Sequence, residues 1–167
     1  KGKNMFDAII LMAGKGERTG LSFNKILYKV NNKPLFQYSL ETFLKSPFCH
    51  QVVLVVSKTD EKEVKNLIND LPNVKLTIGG NHRQDSVQAG IALCEEKIVL
   101  IHDAARPLLD LKSVDKVYQE TLKNQAAVLA TPTIDTIINS ELGYNALKRE
   151  HLWNVQTPQG VNLDAYR

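Results

Sequence analysis

Short apolar runs alternate with stretches of helical spacing along most of this chain, and this alternation restricts the possible folds more than any other feature. The run at residues 52–56 is continuous and rich in β-branched residues, which is typical of a strand covered on both faces. Comparable runs occupy residues 8–11, 75–78, 97–101 and 126–130. Alternating units of this kind form a mostly parallel sheet with right-handed crossovers. The sequence therefore predicts an α/β fold with a mostly parallel sheet flanked by helices.

The segments between these runs complete the alternation. Their apolar spacing predicts helices over residues 35–44, 64–71, 87–93 and 114–122. Residues 26–30 are predicted to form a short strand or an extended segment before the first of these helices.

Polar segments follow three of the predicted strands, at residues 12–25, 79–86 and 102–107. Parallel strands end at one edge of the sheet, and ligands of open α/β sheets bind in the crevice outside that edge. We therefore expect the three loops to converge there and to form the functional site.

The first of these loops has the composition of a phosphate-binding loop. Gly14 and Gly16 lack a Cβ atom, so their backbone can adopt left-handed conformations and approach an anion closely. Lys15, Arg18 and Lys25 add positive charge beside them. A polyphosphate would suit this loop, and an ordinary surface turn is the alternative interpretation.

Two better-known glycine loops are excluded by what this one lacks. A dinucleotide-binding loop needs a third glycine where Thr19 stands, and an acidic residue after the second strand, where Lys29 and Lys33 occur instead. A P-loop needs a Gly-Lys-Ser/Thr triplet, whereas Gly14 is followed by Lys-Gly-Glu-Arg-Thr. The remaining description is a glycine loop with a basic tail that ends at Lys25.

The composition fits a single domain over residues 1–167 in the cytoplasm. The net charge is +3 and the lysines are scattered, which favours a small anionic ligand over nucleic acid. No apolar run approaches the roughly 20 residues of a membrane span, so we expect no membrane association. Cys49 and Cys94 lack metal-ligand spacing, and we expect free thiols in a reducing compartment.

Residues 133–155 depart from the alternation and predict a protruding β-arm. Residues 134–138 and 146–148 alternate weakly, with a turn at 139–143 between them. Two isolated strands are marginally stable, so we expect the arm to pack on a second copy of the chain in a two-fold dimer. The alternative is a hairpin folded onto its own domain.

Five motifs stand in order along the chain. They are the loop 13–18 with Lys25, the pair Gly79-Gly80 followed by Arg83 and Ser86, the run 102–107, the pair Asp135-Thr136, and the run 152–159. Together they resemble the 2-C-methyl-D-erythritol 4-phosphate cytidylyltransferases of the non-mevalonate isoprenoid pathway, over almost the whole chain. The resemblance implies a Rossmann-like nucleotidyltransferase fold, a homodimer joined by the arm, CTP and a sugar-alcohol phosphate as substrates, and Mg²⁺ as cofactor.

The resemblance also implies roles for single residues. Arg18 and Lys25 match the pair that stabilises the transition state at the α-phosphate, where charge accumulates and positioned cations are needed. The residues implied to bind CTP are Leu11, Met12, Ala13, Gly14, Gly16, Gly80, Asn81, Arg83, Ser86 and Ala104. The residues implied to bind the acceptor are Asp103, Arg106, Thr136, Arg149 and Thr157, with Asp103 also near the metal and Arg149 reaching across the dimer.

Two further conspicuous residues are assigned to structure. His102 precedes Asp103 on a strand, so the two side chains point to opposite faces and His102 is not expected to share a metal with Asp103. Trp153 is expected to pack within the protein.

The chain departs from the family pattern at several positions. Asn24 stands where many members have proline, Met12 replaces a small residue, Asn81 replaces a common acidic residue, and Ile138 stands where a lysine often occurs. Family members continue past residue 167 with a further lysine for the acceptor phosphate, so the C-terminal part of the domain is expected to be missing from this chain.

Two alternative functions remain open from the sequence. The related ribitol 5-phosphate cytidylyltransferases share the first loop and the run 156–159, although Ala105 and the pair Leu152-Trp153 favour the erythritol-type enzyme. A non-catalytic nucleotide-binding module with the same fold would bind CTP without releasing pyrophosphate.

Overall fold

The structure is a computed structural model that describes residues 4–14, 24–69, 71–141 and 143–166. In that part of the chain the strands are β1 (Phe6–Leu11), β2 (Lys29–Val30), β3 (Lys33–Pro34), β4 (Cys49–Val56), β5 (Val74–Ile78), β6 (Ile98–Asp103), β7 (Ala126–Pro132), β8 (Ile138–Asn139), β9 (Asn145–Ala146) and β10 (Trp153–Asn162). The α-helices are α1 (Leu35–Lys45), α2 (Glu61–Ile68), α3 (Arg83–Ile91), α4 (Leu111–Asn124) and α5 (Leu163–Tyr166). Two 3₁₀ helices span Lys25–Leu27 and Arg149–His151.

The central sheet of the described chain has the strand order β5-β4-β1-β6-β10-β7. Strand β1 pairs in parallel with β4 and β6, and β4 pairs in parallel with β5. Strand β10 runs antiparallel to both β6 and β7. The mostly parallel sheet predicted from the sequence is therefore confirmed, with β10 as its antiparallel member.

Both faces of the central strands β1, β4 and β6 are buried, which explains their continuous apolar runs. Alternate side chains of β1 point to opposite faces, so Ile10 packs in the cluster that contains Phe36 of α1, and Ile9 packs with Val87 of α3. Helix α4 contributes Tyr118 to the same cluster as α1. The helices therefore hold β1 rigidly, and its carboxyl end is a fixed point for the loop that follows.

A buried carboxylate closes the amino end of the sheet. Asp7 is 0% exposed and accepts hydrogen bonds from the Gln51 side-chain amide at 2.9 Å and from the Glu96 backbone N–H at 3.0 Å. The Glu95 N–H also donates to it, and His50 Nδ1 lies 3.0 Å from its other oxygen. One side chain thus joins β1, β4 and the turn before β6.

The prediction of a strand or extended segment at residues 26–30 is wrong for its first part. Ile26 and Leu27 belong to the 3₁₀ helix, and Asn24 caps that helix by accepting the Ile26 N–H. Both apolar side chains are buried in the core. The remaining two residues form β2, which pairs with β3 in a small hairpin.

Residues 133–155 contain a separate two-stranded sheet in which β8 and β9 pair antiparallel. Several apolar side chains of this segment are exposed, among them Ile134 at 79% and Tyr144 at 76%. Throughout the ranges that the structure covers, none of the helices has both the length and the apolar character to cross a bilayer.

Candidate active site

An open cavity of about 330 Å³ lies at the carboxyl edge of the sheet, where the three predicted loops meet. Such a volume is within the usual range of small-molecule sites. The predicted residues that line it are Leu11, Met12, Ala13, Gly14, Lys25, Gly80, Asn81, Arg83, Ser86 and Asp103. Asn24, Ile26, His82 and Ala105 also line it and were not predicted as site residues. Arg18 and Gly16 lie outside the described residues.

The end of β1 is tied to its neighbours through the backbone. The Leu11 C=O accepts the Ala104 N–H at 3.1 Å, and the Met12 N–H donates to the Val55 C=O at 2.8 Å. The Met12 side chain is buried in the core, so Met12 presents backbone to the cavity. These bonds fix the starting point of the first loop.

Asn24 holds Lys25 against this fixed point. Its side-chain amide donates to the Met12 C=O at 3.0 Å and to Asp60 Oδ2 at 2.9 Å, while its Oδ1 caps the 3₁₀ helix. Ser57 Oγ donates to the same Asp60 oxygen at 2.7 Å. The detectable sequence signal was an asparagine directly before a short helix, a preferred capping residue.

The second loop passes so close to its surroundings that side chains are excluded. A Cβ atom on Gly79 would lie 2.5 Å from Ser86 Oγ and 2.7 Å from the Ala13 Cβ atom, and one on Gly80 would lie 2.3 Å from the Asp85 Cβ atom. The two glycines therefore allow the loop to join α3 to the first loop.

Gly14 differs from this pair. Among the described residues other than its chain neighbours, no atom lies within 4 Å of the position of its missing Cβ, and its φ is not positive. The left-handed conformation that a glycine can adopt is therefore not observed at Gly14.

The amino end of α3 faces the cavity. His82 caps this helix, and Asp85 completes the capping box by accepting the His82 N–H at 3.0 Å. Arg83 in the first turn and buried Ser86 both line the cavity. A helix amino terminus favours anions through its unpaired N–H groups and its dipole.

Asp103 lies between two arginines. Arg83 Nη2 is 3.4 Å from its Oδ1, and Arg106 Nε is 4.0 Å from its Oδ2. Lys25 and Arg83 line the cavity together with Asp103, so the charged side chains of its described lining carry two positive charges and one negative charge.

Ala104 does not line the cavity as expected. It is fully buried, because its N–H bonds back to Leu11, and the next residue, Ala105, faces the cavity instead.

The residues predicted to bind the acceptor are only partly brought together. Arg106 and Thr157 line an adjacent cavity of about 300 Å³, and the Arg106 guanidinium donates to the Gln156 side chain. Thr136 and Arg149 are exposed and line neither cavity, and Arg149 Nη1 donates to the Ile134 C=O at 2.8 Å. Within one chain these two residues remain apart from the site.

His102 and Trp153 gave opposite outcomes. His102 is 1% exposed, points away from Asp103 into the core and lies 5.7 Å from the Phe43 ring centroid, as predicted. Burial lowers the pKa of His102 to about 4, so the ring is neutral at physiological pH. Trp153 is 58% exposed, so its predicted packing is wrong within one chain.

Comparison with known proteins gives a family. The sequence model of the 2-C-methyl-D-erythritol 4-phosphate cytidylyltransferase family matches residues 6–167 of this chain. The cytidylyltransferase of this name from Halalkalibacterium halodurans is 36% identical over 164 residues, which cover 95% of this chain and 72% of that protein. The one from Shouchella clausii is 39% identical over 165 residues, with coverages of 95% and 72%.

Solved structures give the same result. The 4-diphosphocytidyl-2C-methyl-D-erythritol synthase of Anaerococcus prevotii aligns with a TM-score of 0.83 at 25% identity, over 97% of this chain and 73% of that one. The 2-C-methyl-D-erythritol 4-phosphate cytidylyltransferase of Francisella tularensis gives 0.78 at 26% identity, over 96% and 73%. The predicted Rossmann-like nucleotidyltransferase fold is confirmed.

Proposed function

The chain belongs to the 2-C-methyl-D-erythritol 4-phosphate cytidylyltransferase family, and we propose that it transfers CMP from CTP to 2-C-methyl-D-erythritol 4-phosphate in non-mevalonate isoprenoid biosynthesis. An oxygen of the acceptor phosphate attacks the α-phosphorus of CTP and forms a new P–O bond. The bond from that phosphorus to the β-phosphate oxygen breaks, and pyrophosphate leaves. CTP is a cytoplasmic metabolite, and the proposed location is the cytoplasm.

The observation that supports this reaction most strongly is the convergence of the three loops on one cationic cavity. Lys25, Arg83 and the amino terminus of α3 line the same space. Phosphoryl transfer depends chiefly on positioning and on compensation of negative charge, and these groups supply both. We assign Lys25, together with Arg18, to the α-phosphate.

The nucleotide and the acceptor occupy different parts of this edge in the proposal. The backbone of residues 11–14 and the loop with Gly80 and Asn81 would hold CTP, with Ser86 at the helix terminus. Asp103 and Arg106 would hold the acceptor, because Arg106 Nε lies 4.0 Å from the Asp103 carboxylate, and Thr157 supports them by accepting the Asp103 backbone N–H. The Arg106 guanidinium suits the phosphate, and the Asp103 carboxylate suits the sugar hydroxyls.

We propose Mg²⁺ as the cofactor, with Asp103 as its protein ligand. Asp103 is a half-exposed carboxylate on the cavity wall, and Mg²⁺ is commonly held by one or two carboxylates together with substrate phosphates and water. Across the residues that the structure covers, no cluster of three His, Cys, Asp or Glu side chains could form a cage. When bound, the ion would offset charge on the triphosphate.

The acceptor identity is tested by pyrophosphate release from CTP and Mg²⁺, with 2-C-methyl-D-erythritol 4-phosphate and ribitol 5-phosphate compared at equal concentrations. We expect turnover with the erythritol compound and at least tenfold less with ribitol 5-phosphate. Turnover with ribitol 5-phosphate alone would identify the related enzyme. CTP binding without any pyrophosphate would identify a non-catalytic module.

We also propose that the chain forms a homodimer through residues 133–155. This segment exposes Ile134, Tyr144 and Trp153. Thr136 and Arg149 lie on the same segment, away from the cavity of their own chain. A second copy would bury the apolar side chains and deliver Arg149 to its acceptor site.

Mixing two inactive variants tests this arrangement. If Arg149 acts across the dimer, Lys25→Ala and Arg149→Ala chains that exchange subunits form one intact site per mixed dimer. We then expect activity well above that of either variant alone. Activity that stays at the level of the separate variants, although exchange is verified by mass, would place Arg149 in its own chain's site.

A further inference from the structure

We propose that His102 is a positioning residue for the acceptor side of the site, because it joins Asp103, Thr157 and Arg106 in one directed chain of hydrogen bonds. The inference rests on the proposed function, in which Asp103 and Arg106 hold the acceptor. His102 does not touch substrate in this proposal. It acts only through its neighbours.

The direction of every bond in this chain follows from its two ends. The Arg106 C=O can only accept, and it lies 3.0 Å from His102 Nε2, so Nε2 carries the proton. In the neutral ring Nδ1 is then an acceptor, and Thr157 Oγ1, at 2.9 Å, donates to it. The Asp103 N–H can only donate, and it donates to Thr157 Oγ1 at 3.2 Å. The Arg106 end therefore fixes the tautomer, and the Asp103 end is compatible with it.

A doubly protonated ring would reverse the bond between His102 and Thr157. Nδ1–H would then point at Thr157 Oγ1, which already accepts from the Asp103 N–H. The hydroxyl would have to turn its own proton away from the ring. The neutral ring is the form in which Thr157 both accepts and donates.

Ser39 of α1 adds hydrogen bonds at the Arg106 end of the hydrogen-bond chain. Its hydroxyl donates to the Arg106 C=O at 3.1 Å and lies 3.0 Å from His102 Nε2, so the ring proton is shared between two oxygens. Ser39, His102 and Thr157 are 0%, 1% and 6% exposed. Because water does not compete at such buried sites, these bonds are expected to be well ordered.

The chain links three separate elements to the site. It connects the end of β6, the loop that carries Arg106 and strand β10, and it anchors them to α1. The Asp103 carboxylate and the Arg106 guanidinium point outward from backbone groups that the chain holds. A displacement of about 1 Å in such groups can lower the rate about 100-fold. Among the contacts described, Lys25 and Gly80 on the CTP side make no bond to this chain, and the contact between the two sides is that of Arg83 with the Asp103 carboxylate.

Two substitutions at His102 each keep one half of the hydrogen-bond chain and remove the other. The amide of His102→Asn lies near the former Nδ1, so it can accept from Thr157 but not reach Arg106. The amide of His102→Gln extends toward the former Nε2, so it can donate to Arg106 but abandons Thr157. We expect each to lower kcat/KM for the acceptor by about tenfold or more, with the dissociation constant for CTP within about twofold of wild type.

Thr157 offers a pair of variants that keeps the proposal testable if the histidine variants fold poorly. Thr157→Ser keeps the hydroxyl and should retain most of the acceptor kcat/KM, whereas Thr157→Val should lose about tenfold or more. Thr121→Val is the matched control, because Thr121 is also buried and donates to a backbone carbonyl, on α4. It should lower the thermal midpoint without a change in acceptor kinetics.

The opposite results would overturn the proposal. One is a lowered thermal midpoint with unchanged kcat/KM for the acceptor in His102→Asn, His102→Gln and Thr157→Val. The other is a fall in CTP affinity as large as the fall in kcat/KM for the acceptor. The ¹⁵N chemical shifts of the His102 ring test the hydrogen-bond chain without an activity measurement. They should show protonated Nε2 and unprotonated Nδ1, and the other tautomer would refute the chain. A wild-type protein without turnover would refute the proposed function and leave this spectrum to decide the hydrogen bonds.

Discussion

Lys25 carries the charge that we assign to the α-phosphate, and it is held between the buried residues Asn24 and Ile26. Lys25→Ala should lower kcat for pyrophosphate release by about 100-fold or more, because a positioned charge is lost where negative charge develops. Lys29→Ala removes the same charge from an exposed position on β2 and should leave kcat nearly unchanged. Equal effects of the two substitutions would mean that only overall charge matters.

The two cysteines should be inert in the folded protein. Burial, reinforced by the nearby negative charge of Asp7, raises the pKa of Cys49 and of Cys94 to about 12. At pH 8 only about one thiol in ten thousand is then a thiolate, which is the reactive form.

Alkylation by iodoacetamide, followed by intact mass, measures this protection. Both thiols should react slowly in the native protein and rapidly in guanidinium chloride. Complete alkylation of the native protein within minutes would contradict the assigned burial.

At the residue scale, sequence predicted what depends on strand ends and missed what depends on local backbone bonds. Lys25, Gly80 and Asp103 could be grouped because parallel strands end at one edge. That Ala105 lines the cavity in place of Ala104 could not be foreseen. It follows from a hydrogen bond between Ala104 and Leu11, which are far apart in the sequence.

The 3₁₀ helix that carries Lys25 depends on its cap. Asn24→Ala removes a capping acceptor and the donor to Met12 and Asp60, and should lower the free energy of unfolding by about 1–2 kcal/mol. We also expect kcat to fall by about tenfold, because Lys25 is no longer held against β1.

Urea unfolding and pyrophosphate release measure the two effects separately. Asn66→Ala, on the exposed face of α2, is the control for loss of an asparagine and should change neither. A lower free energy of unfolding with unchanged kcat would show that the cap stabilises the fold but does not position Lys25.

Long strands and helices were predictable from their apolar pattern, and this short 3₁₀ helix was not. Eight consecutive residues in β4 or fourteen in α4 contain enough apolar positions to define a period. The three-residue 3₁₀ helix contains two buried apolar residues in succession, which a strand would also show. Its distinguishing cap bonds to Asp60, which lies 36 positions away.

For the whole molecule, the strand order and the antiparallel course of β10 lie beyond what periodicity can show. Apolar alternation indicates which face of a strand is buried but not which strand lies beside it. The place of β10 between β6 and β7 depends on contacts distant in sequence. The buried Asp7 was missed for the same reason, since its hydrogen-bond partners lie 43 to 89 positions away.

Asp7 provides the test at this scale, because it joins three parts of the molecule at the edge opposite the cavity. Asp7→Ala would leave the Glu95 and Glu96 N–H groups and the Gln51 amide without their acceptor in a buried place. The free energy of unfolding should fall by about 3 kcal/mol or more, measured in urea. Asp7→Asn keeps the shape and one acceptor, so an intermediate loss is expected.

The kinetics of the same variants should be unaffected at temperatures where they remain folded. Asp7 lies about 13 Å along β1 from Leu11, at roughly 3.3 Å per residue, and touches no cavity residue. If kcat fell as steeply as stability, the two edges of the sheet would be coupled through β1. Unchanged kcat with lowered stability would instead show that the rigid sheet separates the strength of the fold from the chemistry at its other edge.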